Sequence, residues 1–177
     1  MAPDDLLLDH WDFLVEGARK GPVLDLACGD GHNGLSAAEK GWTVILADLS
    51  ESALRKAELA AKRLQGEVTI WHVDLETGND NPLRPEGYGV VLVFRYLHRP
   101  LMPCIKKALV RGGVLFYETF TAEQSRFGKP KNPDHLLNSG ELLEWFKEWT
   151  VIHHFEGFKY RPRRAIAQIV CIKPETK

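Results

Sequence analysis

The chain has 177 residues, of which 44% are hydrophobic and 27% charged, and its formal net charge is −1. That length suits one well-buried core, and the balance excludes a disordered chain. A near-neutral total gives no global attraction to nucleic acid or to an anionic membrane, so any basic footprint must be local. Cys28, Cys104 and Cys171 are far apart and form no Cys-x-x-Cys pair. This usage fits a reducing compartment and offers neither a disulfide framework nor a zinc site. The acidic start, Met1-Ala2-Pro3-Asp4-Asp5, runs into only three leucines. That is neither a secretory signal nor a spanning helix, so a soluble, cytoplasmic protein without membrane contact is expected.

The pattern predicts one domain over residues 1–177, opening with an amphipathic helical cover over 1–20 that carries Trp11 and Phe13. Val23-Leu24-Asp25-Leu26-Ala27 is an apolar run ending in glycines, a first strand. Leu35 to Lys40, stopped by Gly41, is a helix, and Thr43 to Ala47 is the second strand. The next helix has Ser50 as N-cap and Glu51 in its first turn, with Ala53, Ala57, Ala60, Ala61 and Leu64 at helical spacing. Val68 to Val73 is the third strand, and the Gly-, Asn- and Pro-rich stretch Thr77 to Gly89 a loop. Val90 to Phe94 is the fourth strand, Met102 to Leu109 a helix, and Val114 to Tyr117 the fifth strand. Thr119 to Asn138 lacks a clear period, as binding loops and lids often do. A helix over Gly140 to Trp149 precedes two strands, near Val151–Phe155 and Ala165–Ile172, with no helix between them. Alternating strands and helices build a mostly parallel seven-stranded α/β sheet with helices on both faces, closed by an antiparallel hairpin.

Gly29-Asp30-Gly31-His32-Asn33-Gly34 matches G-x-G-x-x-G and lies between a strand and a helix. Such glycines let the backbone turn tightly and approach a ligand. Asp48 ends the second strand 19 residues after Gly29, placed to accept from ribose hydroxyls. Asp74 closes the third strand, where a carboxylate can accept from an adenine amino group. Asp25, inside the first strand, needs a partner there. A cationic ligand, a loop amide, or simply Lys20 or Arg19 would each supply one. Asp48 and Asp74 taken singly are also ordinary strand-end or capping acids.

Val23-Leu24-Asp25-Leu26-Ala27-Cys28-Gly29-Asp30-Gly31 resembles the first motif of class I S-adenosylmethionine-dependent methyltransferases. Ala47-Asp48-Leu49-Ser50 resembles the second and Val73-Asp74-Leu75 the third, while Arg111-Gly112-Gly113-Val114-Leu115 is similar to the turn before the family's fifth strand. The small size is loosely similar to the tellurite- and thiopurine-methylating branch. The resemblance covers nearly the whole chain and implies a Rossmann-like fold with S-adenosylmethionine as cofactor. It implies that Gly29 and Gly31 lie under the methionine moiety, that Asp48 binds the ribose, and that Asp74 meets the adenine amino group. Leu49 and Leu75 would flank the ring.

The acceptor side rests on the edge to which parallel strands deliver their carboxyl ends. The fourth strand brings Phe94-Arg95-Tyr96-Leu97-His98-Arg99-Pro100 there, and the fifth brings Tyr117-Glu118-Thr119-Phe120. The family's amino-methylating members often carry Asn/Asp-Pro-Pro-aromatic after the fourth strand, which Phe94-Arg95-Tyr96-Leu97 does not match. No cysteine stands at that position as a nucleophile, since Cys104 falls inside the next helix. His98 is the candidate base, with a loop-bracing role as its alternative. Arg95 and Arg99 are candidates to clamp an anion. Glu118 is a candidate base or the ion-pair partner of Arg95, the latter favoured. Arg126 to Pro133 reads as a lid or a solvated connection. His153 and His154, adjacent on a strand, face opposite ways and make a poor metal pair.

Methyl transfer to a small acceptor, compact or anionic, is the leading reading. One alternative is an RNA or protein methyltransferase using the Lys159–Arg164 turn, which holds four basic residues in six. That turn also reads as edge-guarding charge, which argues against nucleic acid. A second alternative is a protein that holds the cofactor without chemistry; a nicotinamide-dependent reductase is the third.

Overall fold

The computed structural model describes residues 2–77 and 82–175. Its elements in chain order are α1 (Asp5–Asp9), α2 (Trp11–Ala18), β1 (Val23–Leu26), α3 (His32–Glu39), β2 (Val44–Asp48), α4 (Glu51–Ala61) and β3 (Val68–His72). Then come β4 (Tyr88–Phe94), α5 (Met102–Ala108), β5 (Leu109–Phe120), α6 (Glu141–Trp145), β6 (Thr150–Tyr160) and β7 (Arg163–Ile172). The seven strands form one sheet in the order β3-β2-β1-β4-β5-β7-β6. β1 to β5 run parallel, and β7 lies antiparallel to both β5 and β6. This is the expected α/β sheet with its C-terminal hairpin.

Period-2 alternation in the central strands sorts side chains onto two covered faces, which is why these strands read as continuous apolar runs. Every residue of β4 is buried. Val91 and Val93 join Leu24 and Leu26 on one face, packed against Met102 and Ile105 of α5 and Leu142 of α6. Val90, Leu92 and Phe94 join the other face with Leu7 of α1, Leu14 of α2, Ala37 of α3 and Ala57 of α4. Between β1 and β4 the chain winds away in opposite directions, leaving a crevice at their carboxyl ends.

Several boundaries differ from expectation. The N-terminal cover is two helices, broken at His10, whose φ of −125° leaves the helical region. β5 begins at Leu109 rather than Val114, because Leu109 pairs with Tyr88 before the register shifts near Gly112. The helix expected to reach Trp149 stops at Trp145: Phe146 turns its backbone out of the helix, and its ring packs edge-on against Trp149 at 5.1 Å. The expected loop Thr77 to Gly89 contains residues 78–81, which lie outside the described residues.

The aperiodic segment after β5 is ordered by short 3-10 turns at Ala122–Arg126 and Pro133–His135. Its ends meet: Ala122 N–H donates to the Leu137 carbonyl and Leu137 N–H to that of Phe120, both at 2.9 Å. A closed loop of this kind has the geometry of an Ω-loop. Among the described residues, no helix is long and apolar enough to cross a membrane.

Gly34, in the first turn of α3, allows that helix to press on β2. A Cβ built there would lie 2.5 Å from Leu46 Cδ2 and 3.0 Å from both Val44 Cγ1 and Asp25 Oδ2. Gly34→Ala is therefore expected to destabilise the fold by about 1–3 kcal/mol, as overpacking does. Urea denaturation measures this, and an unchanged midpoint would show that α3 can shift freely.

Candidate active site

The turn from β1 into α3 is built by backbone conformation first. Ala27 and Gly29 have φ of 51° and 57°, and Gly31 has φ of 76° at the N-cap of α3. Two carboxylates hold this turn. Asp25, only 2% exposed, accepts from Gly34 N–H at 2.8 Å. Asp48, at the end of β2, accepts from Gly29 N–H and from Ser50 N–H, each at 2.7 Å. Of the partners expected for Asp25, the loop amide is the one present. Gly31 keeps clear of Leu46, whose Cδ1 would stand 2.8 Å from a Cβ at that position. Gly29, by contrast, has nothing within 4 Å of where its Cβ would be, so the turn opens onto free space there.

That space continues as a groove along the strand ends. One cavity, of about 210 Å³, is walled by Asp25, Ala27, Gly29, His32 and Arg95. A second, of about 330 Å³, is walled by Ala27, Asp48, Leu49, Asp74, Leu75 and Tyr96. The two share Ala27. Asp74 caps its own turn by accepting from Glu76 N–H at 2.9 Å through Oδ1. Leu49 is 60% exposed, an apolar side chain left open beside an acid. A carboxylate at each strand end, flanking leucines and an unobstructed glycine turn fit an adenosine that carries a methionine chain.

Arg95 follows β4 in a left-handed backbone conformation, φ 57°, and its N–H donates to the Glu118 carbonyl at 2.8 Å. Its guanidinium does not reach the Glu118 side chain. It donates instead to Asp4, at 3.1 and 3.2 Å. Glu118 is 2% exposed; its carboxylate accepts from Gln168 and stands 3.7 Å from Arg164. The expected Arg95–Glu118 ion pair therefore does not form: Arg95 reaches Asp4, whereas Glu118 meets Gln168, its cross-strand partner on β7, and Arg164. Glu118 lines none of the cavities described here.

Asp4 was invisible as a site residue in the sequence. Its carboxylate also accepts from Asn33 Nδ2 and bonds His32 Nε2, both at 2.9 Å, clamping the N-terminal cover onto the glycine turn. Burial alone would raise its pKa. The bonds to His32 and Asn33 and the Arg95 charge outweigh that and hold it well below the usual carboxylate range. Reciprocally, the Asp4 bond raises His32 against the effect of burial.

Arg99 is likewise committed elsewhere. It makes a bidentate pair with Glu141, 2.6 and 2.9 Å, and donates to the carbonyls of Asp134 and Leu136. It therefore pins the loop after β5 to α6 and is not free to clamp an anion. His98 lies on a recess of about 410 Å³ shared with Leu97, Asn132 and His135. Its imidazole makes no hydrogen bond or ion pair among the described residues. The neighbouring cavity, of about 750 Å³, is walled by Arg95, Tyr96, Leu97, Phe120 and the loop 129–135. Tyr96 and Glu76 line both this cavity and the Asp48–Asp74 cavity. The Tyr117 hydroxyl donates to the Tyr96 carbonyl at 3.0 Å and holds it in place. The buried Tyr96 hydroxyl has no hydrogen-bond partner in good geometry; burial, with Glu76 facing it, pushes its pKa up. Cys28, whose thiol burial also pushes up, stays protonated in this wall. Among the described residues there is no cluster of three or more side chains able to hold a metal.

This strand order, with the acids at the ends of β2 and β3 and the glycine turn after β1, defines a class I S-adenosylmethionine-dependent methyltransferase. The chain is similar in fold to TehB from Haemophilus influenzae, with a TM-score of 0.72 at 18% identity, covering 93% of this chain and 62% of that one. It is similar also to a putative S-adenosylmethionine-dependent methyltransferase from Listeria monocytogenes, with a TM-score of 0.70 at 18% identity over 93% and 98% of the two chains. In sequence it is 26% identical over 168 residues to the ubiquinone biosynthesis O-methyltransferase of Nitrosomonas europaea, spanning 78% of this chain and 71% of that protein. The methyltransferase-domain family model matches residues 23–113, and the chain belongs to that family.

Burial moves Asp25 up from 3.8 to about 7, against the Gly34 amide, which lowers it. The folded state thus holds a proton that the unfolded chain has lost between those values, so stability falls as pH rises from 3.8 to about 7. Asp25→Asn keeps an oxygen for Gly34 N–H and removes the charge. Denaturation midpoints of the variant are expected to lose this downward slope; an identical slope would place the proton elsewhere.

Proposed function

We propose that this methyltransferase moves the methyl group of S-adenosylmethionine to a heteroatom of a small acceptor, compact or anionic. The observation that carries this reading is the continuous groove from Asp74 and Asp48 through Ala27 to Gly29, which ends beside the cavity under the loop after β5. Asp48 has an open lone pair on each oxygen beyond its two backbone bonds, available to ribose hydroxyls. Asp74 keeps Oδ2 for the adenine amino group, and Leu49 and Leu75 flank the ring. Gly29 lies under the methionine chain, with Gly31 behind it holding the turn.

The bound cofactor supplies an electrophilic methyl carbon. The protein's part is to align the acceptor with it and exclude competing water. At the end of β4, Arg95 stands at the mouth with its guanidinium paired to Asp4, and His98 lies one recess further out. An O-methyltransferase among the relatives favours an oxygen acceptor. The basic hairpin turn gives little support to a nucleic-acid substrate, because most of its charge is engaged. Lys159 stands over Phe155, Arg163 stacks on Phe127 at 4.3 Å, and Arg164 faces Glu118. Three unpaired thiols support a reducing, cytoplasmic setting.

Asp48→Asn tests the cofactor assignment while keeping one oxygen for the turn. Loss of charge-assisted hydrogen bonds should weaken S-adenosylhomocysteine binding by about 10- to 150-fold in calorimetry. NAD should not bind either form. An unchanged dissociation constant removes Asp48 from the site.

A further inference from the structure

We propose that the cavity under the loop after β5 is the acceptor site, and that it takes an aromatic anion whose charge rests on Lys129 and Lys131. This rests on the methyl-transfer reading above and specifies its acceptor.

This cavity shares Arg95 with the cavity at the glycine turn, and Tyr96 and Glu76 with the cavity at Asp48 and Asp74. It therefore touches both ends of the cofactor groove on the side of β4, where a transferable methyl must be met. A further cavity, bounded by Leu35, Ser36, Lys56 and Leu64, lies beside α3 and α4 and meets the groove at Asp30 and His32 alone.

The wall then sets the chemistry. Tyr96, Leu97, Phe120 and Pro130 give an apolar lining to a space of about 750 Å³, room for a ring system. Phe120 is paired with Ile166 of β7, and the backbone of Tyr96 is held by the Tyr117 hydroxyl, so these faces are preformed rather than assembled around a ligand. To the same cavity the loop brings Lys129, Lys131 and His135. Among the described residues, none of these three side chains forms an ion pair or hydrogen bond, whereas Arg95 is engaged by Asp4 and Arg126 by Glu123. The one carboxylate of the lining, Glu76, lies at the boundary with the cofactor groove, away from neither lobe but shared by both. Free cations on the loop and a carboxylate at the inner boundary orient a bipolar guest: anion outward to the lysines, reacting heteroatom inward.

The loop is held for this task from outside. Arg99 carries the carbonyls of Asp134 and Leu136 together with Glu141, and Gln124 donates to the Lys129 carbonyl at 3.0 Å. These bonds fix the backbone of the loop and leave the lysine side chains at liberty. In the transfer, the acceptor heteroatom bonds to the methyl carbon as the carbon–sulfur bond breaks. Sulfur keeps the bonding pair and becomes neutral, and any proton on the heteroatom leaves to the solvent that reaches this open cavity.

The test uses the full chain with saturating S-adenosylhomocysteine and three probes: 4-hydroxybenzoate, 4-mercaptobenzoate and the neutral isostere 4-hydroxybenzamide. Calorimetry should show at least one acid binding about tenfold or more tightly than the amide, the scale of two modest ion pairs. Lys129→Glu with Lys131→Glu should abolish that preference while leaving the melting temperature and S-adenosylhomocysteine affinity unchanged. Equal binding of acids and amide, binding of no probe, or a preference that survives the double substitution would each overturn the acceptor assignment. Failure of S-adenosylhomocysteine itself to bind would instead defeat the methyl-transfer reading.

Discussion

Two carboxylates on neighbouring parallel strands close on one short turn, and the rest of the site is arranged around that closure. Asp25 holds the amide of Gly34 from inside β1, and Asp48 holds that of Gly29 from the end of β2. Each acid satisfies a backbone donor that the turn would otherwise leave unpaired. The two bonds tie the start of the turn to β2 and its entry into α3 to β1. Gly29 is left facing open space with its backbone exposed to a ligand. The cost is a buried carboxyl at Asp25, pushed toward neutrality by burial.

From this fixed turn the site extends along both edges of the crevice by contacts distant in sequence. Asp4 reaches back to His32, Asn33 and Arg95, so that the N-terminal cover, α3 and the end of β4 meet at one carboxylate. Arg99 does the equivalent on the other wall, joining the end of β4 to the loop after β5 and to α6. Two arginines four residues apart thus become structural fasteners on opposite walls. Among the described residues lining the cavity beside this loop, Lys129 and Lys131 carry charges with no ion-pair partner, on the segment with the least regular sequence pattern. This division is typical of sheets whose rigid ends carry the cofactor while loops determine the acceptor.

The strands, their parallel order and the cofactor motif are legible in the sequence for a local reason. Buried parallel strands must be continuous apolar runs, and a glycine-rich turn between strand and helix has few uses. Asp48 and Asp74 share that legibility, because acids at successive strand ends share the same edge of a parallel sheet whatever the rest of the chain does. The irregular ends are a different matter. β5 starts early through a register shift against Tyr88, and α6 stops early where Phe146 packs on Trp149. Neither event has a local signal, since each depends on a partner supplied by another element.

The sequence by itself determined the class of fold, the seven strands with their closing hairpin, and the glycine turn with its acids, because periodicity and turn chemistry are properties of adjacent residues. Only the tertiary structure decided which polar side chains remain free. Arg95, Arg99 and Glu118 all appear in the sequence as open groups at strand ends, yet Asp4, Glu141 and the Gln168–Arg164 pair engage them. These contacts span 91 residues between Arg95 and Asp4 and 50 between Glu118 and Gln168. A charged group's partner is set by the three-dimensional path of the chain, and no spacing rule along the sequence encodes it.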